Sequence, residues 1–147
     1  APSVAAYTAT DQSPAMIAIA REKAAGSDTT NLTLRAEAVA SIRTPPDGPF
    51  DAVLAFNLIH LLPDPVAGLA GIRGMLRPGG VFVSKTTCIG GGLRGVMFTA
   101  MIAALRAVGK APPVQSLTVG QLDAMIADAG FEILDTGVMP ASPPAMR

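Results

Sequence analysis

Polar side chains follow several short apolar runs of this 147-residue chain, and they are the residues best suited to chemistry. Asp11 ends a run that starts at Val4, and its carboxylate could accept two hydrogen bonds from the vicinal hydroxyls of a ribose. It could equally cap the helix that follows, because a helix N-terminus favours negative charge. The two roles are compatible, so position alone leaves both open.

Two further polar residues occupy comparable positions. Glu37 follows the alternating stretch Asn31 to Ala36, and it could accept a hydrogen bond from an adenine amino group or be a solvated acid. Asn57 follows "FDAVLAF" and could bind a polar ligand through its amide, although asparagine is also common in turns. Neither residue alone decides between a ligand role and a structural one.

The chain has one histidine, His60, and one cysteine, Cys88. The imidazole could act as a general base near neutral pH. No carboxylate partner is visible, however, and a histidine in "HLL" is also typical of a packed turn, so His60 is a catalytic candidate and no catalytic residue is assigned. Cys88 lacks a second histidine that could activate it. These two residues are too few soft ligands for a zinc site, and we expect no metal.

Alternating strands and helices are predicted to position these side chains. Val4 to Thr10 suits a buried strand. Ser13 is the expected N-cap of a helix with Pro14 at its first position, and Gly26 is expected to end that helix. A second strand is predicted from Asn31 to Ala36. The residues expected on the buried face of the helix are Met16, Ile17, Ala20 and Ala24.

The middle of the chain repeats this pattern. "FDAVLAF" from Phe50 is a continuous apolar run, which is typical of a strand covered on both faces. Asp64 and Pro65 are expected to open a helix, after which "RPGG" turns the chain into the strand "VFVS". The residues expected on the inward face of this helix are Leu69, Ile72, Met75 and Leu76.

Three more elements are predicted after Ser84. An almost uncharged helix is expected from Leu93 to Val108, and it is too apolar to be fully solvated. Thr118 and Gln121 form a capping box for a helix that ends at Gly130, and "FEILDT" follows as another strand.

The alternation predicts an α/β fold, with a parallel sheet, helices on both faces and right-handed crossovers. In such sheets ligands bind beyond the carboxyl ends of the strands. The candidate residues follow the predicted strands at that edge.

Composition excludes several partners. Lys plus Arg and Asp plus Glu number 11 each, so the formal net charge is zero and no nucleic acid or anionic membrane is expected as a partner. The apolar stretches are too interrupted for a membrane span. The start of the chain does not resemble a signal peptide, and one cysteine favours a reducing cytoplasm.

Four motifs in order carry a resemblance to a known family: "ATDQSPAMIAIAREKA", "FDAVLAFNLIHLLPD", "GMLRPGGVFVSKT" and "LDAMIADAGFEILDTG". Together they resemble the class I S-adenosylmethionine-dependent methyltransferases, which have a Rossmann-like fold. The resemblance runs from about Val4 to Gly137.

The resemblance implies that S-adenosylmethionine is the cofactor and that Asp11 binds its ribose hydroxyls. Glu37 stands where the family usually has an aspartate that meets the adenine amino group. Asn57 matches a position near the methionine end of the cofactor. The cofactor-binding residues carried over in this way are Asp11, Gln12, Met16, Glu37, Ala38, Asn57 and Leu58.

The sequence departs from the family at its start. The family's first strand ends in a glycine-rich loop, and the residues before Val4 cannot supply one. We therefore expect residues 1–147 to be an incomplete methyltransferase domain that lacks the first strand and the end of the last. Residues 85–117 are expected to form a substrate pocket or a lid.

The resemblance is to bacterial methyltransferases of small molecules, so the expected function is direct methyl transfer from S-adenosylmethionine to a small-molecule acceptor. Such transfer relies on in-line positioning and needs no covalent intermediate. The alternative is a catalytically inactive, methyltransferase-like module for binding or dimerisation. It is suggested by the lack of the glycine loop and by the apolar stretch Leu93 to Val108, which could form the interface of a homodimer.

Overall fold

Strands and helices alternate along the chain, as the sequence predicts. The computed structural model describes residues 4–27, 29–42, 49–88 and 115–137, together with the single helical positions 97, 100, 101 and 104. The chain divides into two compact units, Ala1–Pro49 and Phe50–Arg147. The helices and strands are β1 (Tyr7–Asp11), α1 (Pro14–Ala25), β2 (Leu32–Ala36), β3 (Phe50–Phe56), α2 (Pro65–Met75), β4 (Leu76–Lys85) and α3 (Val119–Asp128).

The first unit is a strand, helix and strand in which β1 and β2 pair in parallel, with Asp11 opposite Ala36. Ser13 is the N-cap of α1, and its side chain accepts a hydrogen bond from the backbone N–H of Met16. Pro14 follows at the first helical position and Gly26 is the C-cap, so the predicted helix signals are confirmed.

The buried face of α1 is narrower than predicted. Ile17 is the one buried residue of this helix, whereas the side chain of Met16 is 53% exposed. β1 also begins at Tyr7 rather than at Val4. The apolar pattern of the sequence overestimates both spans because it does not show which neighbours cover a residue.

In the second unit, β3 and β4 pair in parallel. β3 has the bounds of the predicted strand "FDAVLAF". The "RPGG" segment is an irregular start of β4, where the register shifts between Phe50 and Ala52. Gly79 has a φ of 75°. A Cβ on Gly80 would lie 2.9 Å from the carbonyl oxygen of Arg77, so both glycines meet a backbone requirement there.

One face of the β3–β4 pair carries exposed apolar side chains. The register places Leu54 opposite Val83 and Ala52 opposite Val81, so these side chains share a face. The prediction that this strand is covered on both faces is wrong for this face, because its side chains are exposed. The aromatic contact found in the described part of the second unit lies on the other face, which carries Phe82. The exposed residues are Leu54, Phe56, Val81 and Val83.

The core of the second unit lies along α2. Asp64 is the N-cap, and its Oδ1 accepts a hydrogen bond of 2.9 Å from the N–H of Ala67. Pro65 follows at the first helical position, as predicted. The inward face is confirmed for the helix, although Leu76 begins β4 and is not part of α2. The predicted residues, all of them buried, are Leu69, Ile72, Met75 and Leu76.

α3 has the predicted capping box at its start. The Thr118 hydroxyl accepts from the N–H of Gln121, and the Gln121 side chain accepts from the N–H of Thr118 at 2.9 Å. The helix ends in a Schellman motif, because the N–H of Phe131 donates to Ile126 while that of Gly130, at a φ of 85°, donates to Ala127.

The segment "FEILDT" is not a strand in the structure, which contradicts that prediction. Its first residue packs instead through its ring, 5.1 Å from the ring of Phe82. The Arg73 guanidinium lies over the Phe131 ring, and its Nε donates a 2.9 Å hydrogen bond to the carbonyl oxygen of Gly130. These side-chain contacts attach the end of α3 to α2 and β4 without a backbone ladder.

Some predictions concern residues outside the described part. The predicted helix from Leu93 to Val108 and most of residues 85–117 belong to this group.

Among the residues that are described, each sheet has two strands, so β1 and β3 each have one neighbour. None of the described helices has the length and apolar character that a membrane span requires.

Candidate functional site

The first group of candidate residues lies at the carboxyl ends of β1 and β2. The backbone N–H of Glu37 donates a 3.0 Å hydrogen bond to the carbonyl oxygen of Asp11. This bond extends the parallel ladder by one residue, so the ends of the two strands are held side by side. The two acids that the sequence singled out are therefore neighbours in the structure.

The Asp11 carboxylate contacts the start of α1, where Ser13 is the N-cap, and its role as a ligand contact stays a prediction. Its Oδ1 accepts a 2.8 Å hydrogen bond from the backbone N–H of Ser13, the N-cap of α1. A carboxylate has about four acceptor positions. The side chain is exposed, so Asp11 can orient the start of the helix and still accept hydrogen bonds from a ligand.

The other predicted cofactor-binding residues of the first unit follow one of these two acids in the sequence. Gln12 and Met16 are exposed, and both belong to the turn and first turn of helix that follow Asp11. Glu37 is half-buried, and Ala38 is the N-cap of a short 3-10 helix, Val39–Ser41. An exposed carboxylate and a half-buried one, at the ends of two paired strands, provide acceptors for a ligand with several hydrogen-bond donors, such as a nucleoside.

The second group lies at the carboxyl end of β3, in the segment we call the β3–α2 turn (residues 57–64). Asn57 opens it in a left-handed conformation, with a φ of 53°. Its N–H donates a 2.7 Å hydrogen bond to the carbonyl oxygen of Lys85, which ends β4. Asparagine tolerates this conformation better than most residues do. The Asn57 side chain is exposed and Leu58 is half-buried.

His60 lies in a 3-10 helix, Ile59–Leu61, within this turn and is 8% exposed. Burial lowers the pKa of its imidazole, which therefore stays neutral at physiological pH. Its Nδ1 has no hydrogen-bond partner in the described part of the chain. A buried imidazole without a carboxylate partner lacks the access and the orientation that a general base needs.

One residue that sequence reasoning missed is Gln115. Its backbone N–H donates a 2.8 Å hydrogen bond to the carbonyl oxygen of His60, and its Nε2 lies 3.3 Å from the carbonyl oxygens of both Leu62 and Pro63. No local pattern marks it, because its partners are far away in the sequence.

Cys88 is half-buried, and its surroundings disfavour a nucleophilic role. Burial and, secondly, the negative charge of Asp123 raise the pKa of the thiol. The thiolate is the nucleophilic form, so a raised pKa lowers reactivity. Within the described ranges, histidine, cysteine, aspartate and glutamate side chains form no cluster of three or more that could hold a metal ion.

Comparison with known proteins points to one family. A family model described as a methyltransferase domain matches residues 1–82, more than half of the chain. The YcgJ protein of Bacillus subtilis is similar in structure, with 18% identity and a TM-score of 0.69 over 87% of this chain and 53% of that one. A structure described as an S-adenosylmethionine dependent methyltransferase from Mesorhizobium loti has 22% identity and a TM-score of 0.62, over 88% of this chain and 65% of that one.

At 18% and 22% identity the two solved structures show a common fold. The chain spans 53% of the length of one of these proteins and 65% of the other. No curated protein matches the chain in sequence.

Proposed function

This chain belongs to the class I S-adenosylmethionine-dependent methyltransferases, and we propose that the protein transfers a methyl group to a small-molecule acceptor by direct displacement. S-adenosylmethionine is the methyl donor of this family. The observation that carries the proposal is the backbone hydrogen bond of 3.0 Å between Glu37 and Asp11, which holds two carboxylates at adjacent carboxyl ends of parallel strands. Ligands of parallel α/β sheets bind at that edge.

We assign Asp11 to the ribose hydroxyls of the cofactor. Its contact with the N–H of Ser13 fixes the side chain, so the carboxylate is preorganised and loses little rotamer freedom on binding. Glu37 is assigned to the adenine amino group, and Gln12, Met16 and Ala38 to the adenosine surroundings. The exposure of Gln12 and Met16 supports this assignment because both side chains are accessible to a ligand.

We assign Asn57 and Leu58 to the methionine end of the cofactor. The left-handed backbone of Asn57 supports this role, because uncommon conformations held by the surrounding structure concentrate at ligand sites. The N–H of this residue already donates to Lys85, so the exposed side-chain amide is the group left for a ligand.

The chemistry asks little of the protein beyond positioning. When bound, S-adenosylmethionine supplies an electrophilic methyl carbon, and its transfer to a nucleophile breaks the carbon–sulfur bond with the electron pair remaining on sulfur. Orienting the acceptor in line with that bond accounts for most of the rate in such reactions. We assign no general base, since the only histidine is buried. Residues 85–117 are proposed to contribute to the acceptor pocket, and the cytoplasm is the proposed compartment.

Isothermal titration of the full-length protein with S-adenosylhomocysteine tests the proposal. We expect saturable binding at one site per chain. A folded protein that shows no heat of binding with either S-adenosylhomocysteine or S-adenosylmethionine would exclude it. The Asp11→Asn variant is the matched control, because asparagine keeps an Oδ1 acceptor for the N–H of Ser13 but loses the charge.

A second candidate is a module for binding or dimerisation that lacks activity. The observation in its favour is the exposed apolar face of β3–β4, on which Phe56 is 60% exposed. Sedimentation of the wild type and of Phe56→Lys separates the candidates. A dimer that dissociates in the variant, in a protein that does not bind S-adenosylhomocysteine, supports the module rather than the enzyme.

A further inference from the structure

Gln115 joins two distant parts of the second unit. Three hydrogen-bond donors of this residue face three carbonyl oxygens of the β3–α2 turn. The backbone N–H reaches the carbonyl of His60 at 2.8 Å, and the side-chain Nε2 is 3.3 Å from the carbonyls of Leu62 and Pro63. Gln115 is half-buried, and its side-chain bond to Leu62 is partly protected from water, whereas the bond to Pro63 is exposed.

The same turn is attached at its other end. Asn57 donates its N–H to Lys85 at 2.7 Å, and Lys85 ends β4. Lys85 and Gln115, which flank residues 86–114 in the sequence, are therefore bonded to the start and to the middle of the β3–α2 turn. Within the turn, the N–H of Leu61 donates to the carbonyl of Leu58 at 2.9 Å and that of Leu62 to the carbonyl of Ile59 at 3.3 Å.

We propose that Gln115 is a positioning residue for cofactor binding, because its three donors hold the β3–α2 turn and thereby set the placement of Asn57 and Leu58. The proposal rests on the proposed function, since it takes these two residues as contacts of the cofactor. The proposal requires no contact of Gln115 with the cofactor, because its donors meet carbonyl groups of the turn. Its effect passes through the carbonyl groups of His60, Leu62 and Pro63.

The chain offers a charge-matched control for a test. Gln115→Glu keeps the size of the side chain but removes both Nε2 hydrogen bonds, because a carboxylate cannot donate. Gln121→Glu makes the same chemical change at the capping box of α3, where the side chain acts as an acceptor from Thr118 and a glutamate serves equally well. Gln115→Lys provides a donor again and is the rescue variant.

The experiment measures S-adenosylhomocysteine affinity by titration and amide hydrogen exchange of the β3–α2 turn in all four proteins. We expect Gln115→Glu to weaken binding roughly tenfold and to speed exchange at Leu61 and Leu62, as expected for the loss of two hydrogen bonds. Gln121→Glu should stay within about twofold of the wild type, and Gln115→Lys should recover most of the loss.

The outcomes are distinguishable. Faster exchange in Gln115→Glu with unchanged affinity overturns the positioning role, and so does equal weakening in Gln115→Glu and Gln121→Glu. A wild type that does not bind S-adenosylhomocysteine overturns the proposed function instead. In that case unchanged exchange in Gln115→Glu would also remove the structural basis of the inference. Far-UV circular dichroism identifies any variant that fails to fold, and exchange is then compared between the wild type and Gln115→Lys.

Discussion

The N–H of Glu37 donates to the carbonyl oxygen of Asp11 at 3.0 Å, so these two acids, 26 positions apart by their numbers, end neighbouring strands. The bond is made by backbone atoms and leaves both carboxylates available. It also sets the spacing of the two backbones at the end of the parallel ladder. A ligand that contacts both acids therefore meets a preformed arrangement.

Substitution at Asp11 should affect cofactor affinity more than substitution at His60. Asp11→Ala removes an acceptor for the ribose hydroxyls and the contact with the N–H of Ser13. A hydrogen bond to a charged group contributes about 1.5–3 kcal/mol, so we expect S-adenosylhomocysteine binding at least about tenfold weaker. Titration calorimetry measures this, and a larger loss in His60→Ala would refute the role assignment.

Asp11→Asn separates the two functions of the aspartate. Its Oδ1 can still accept from Ser13, so we expect the free energy of unfolding to stay within about 0.5 kcal/mol of the wild type. The affinity should nevertheless fall, because a neutral amide replaces the charged acceptor. Wild-type affinity in this variant would show that the carboxylate serves the turn alone.

Substitutions at Asn57 should change stability according to how well the new residue adopts a left-handed backbone conformation. At a φ of 53°, alanine is disfavoured by about 1 kcal/mol or more relative to glycine. We therefore expect Asn57→Ala to be less stable than Asn57→Gly in urea unfolding, while both lose the side-chain amide and weaken cofactor binding alike. Equal stability of the two variants would contradict the left-handed conformation.

The pH dependence of stability should reveal the burial of His60. Burial lowers its pKa in the folded protein, so the unfolded chain binds a proton more readily than the folded one. Stability should therefore fall as the pH drops below about 6.5, the ordinary value of histidine, and level off below the folded pKa. Urea midpoints between pH 8 and pH 5 measure this effect.

His60→Gln is the control for that experiment, because it removes the only histidine of the chain. The variant should show a flatter profile between pH 5 and pH 7, because the imidazole that takes up a proton on unfolding is gone. An unchanged slope would mean that another group is responsible.

A pair of glycines should respond to alanine in opposite directions. In Gly80→Ala the new Cβ would lie 2.9 Å from the carbonyl oxygen of Arg77, and we expect a loss of about 1–3 kcal/mol. Gly71 lies inside α2 with no neighbour within 4 Å of an added Cβ, so Gly71→Ala should gain about 0.5–1 kcal/mol. Thermal unfolding of the two variants checks both signs, and destabilisation by Gly71→Ala would contradict an open environment there.

The predictions that succeeded depend on contacts between near neighbours in the sequence. Ser13 and Asp64 accept from the N–H three residues on, and Thr118 and Gln121 complete a capping box over the same distance. Side chains that satisfy helix N-terminal groups act within one turn, so a short pattern predicts them. Failure came where coverage by distant residues matters, as on α1 and on the exposed face of β3.

In the candidate site too, local patterns predicted some features, and contacts between distant residues decided the others. The sequence places Asp11, Glu37 and Asn57 after strands, and parallel pairing then requires the first two to lie at one edge. The residues of "FEILDT" do not indicate that this segment packs through the Phe131 ring instead of joining a backbone ladder. A strand also requires a free neighbouring edge, and the segment's own sequence does not show whether one exists.

The sequence by itself determined the order of strands and helices, their caps and the family, because these are read from local patterns and spaced motifs. The tertiary structure alone decided that His60 is buried and that Gln115, 53 residues from Leu62, supports the turn that contains it. The physical reason is that burial and carbonyl pairing depend on which distant segment comes into contact. Hydrogen bonds across such a distance leave no periodicity in the chain.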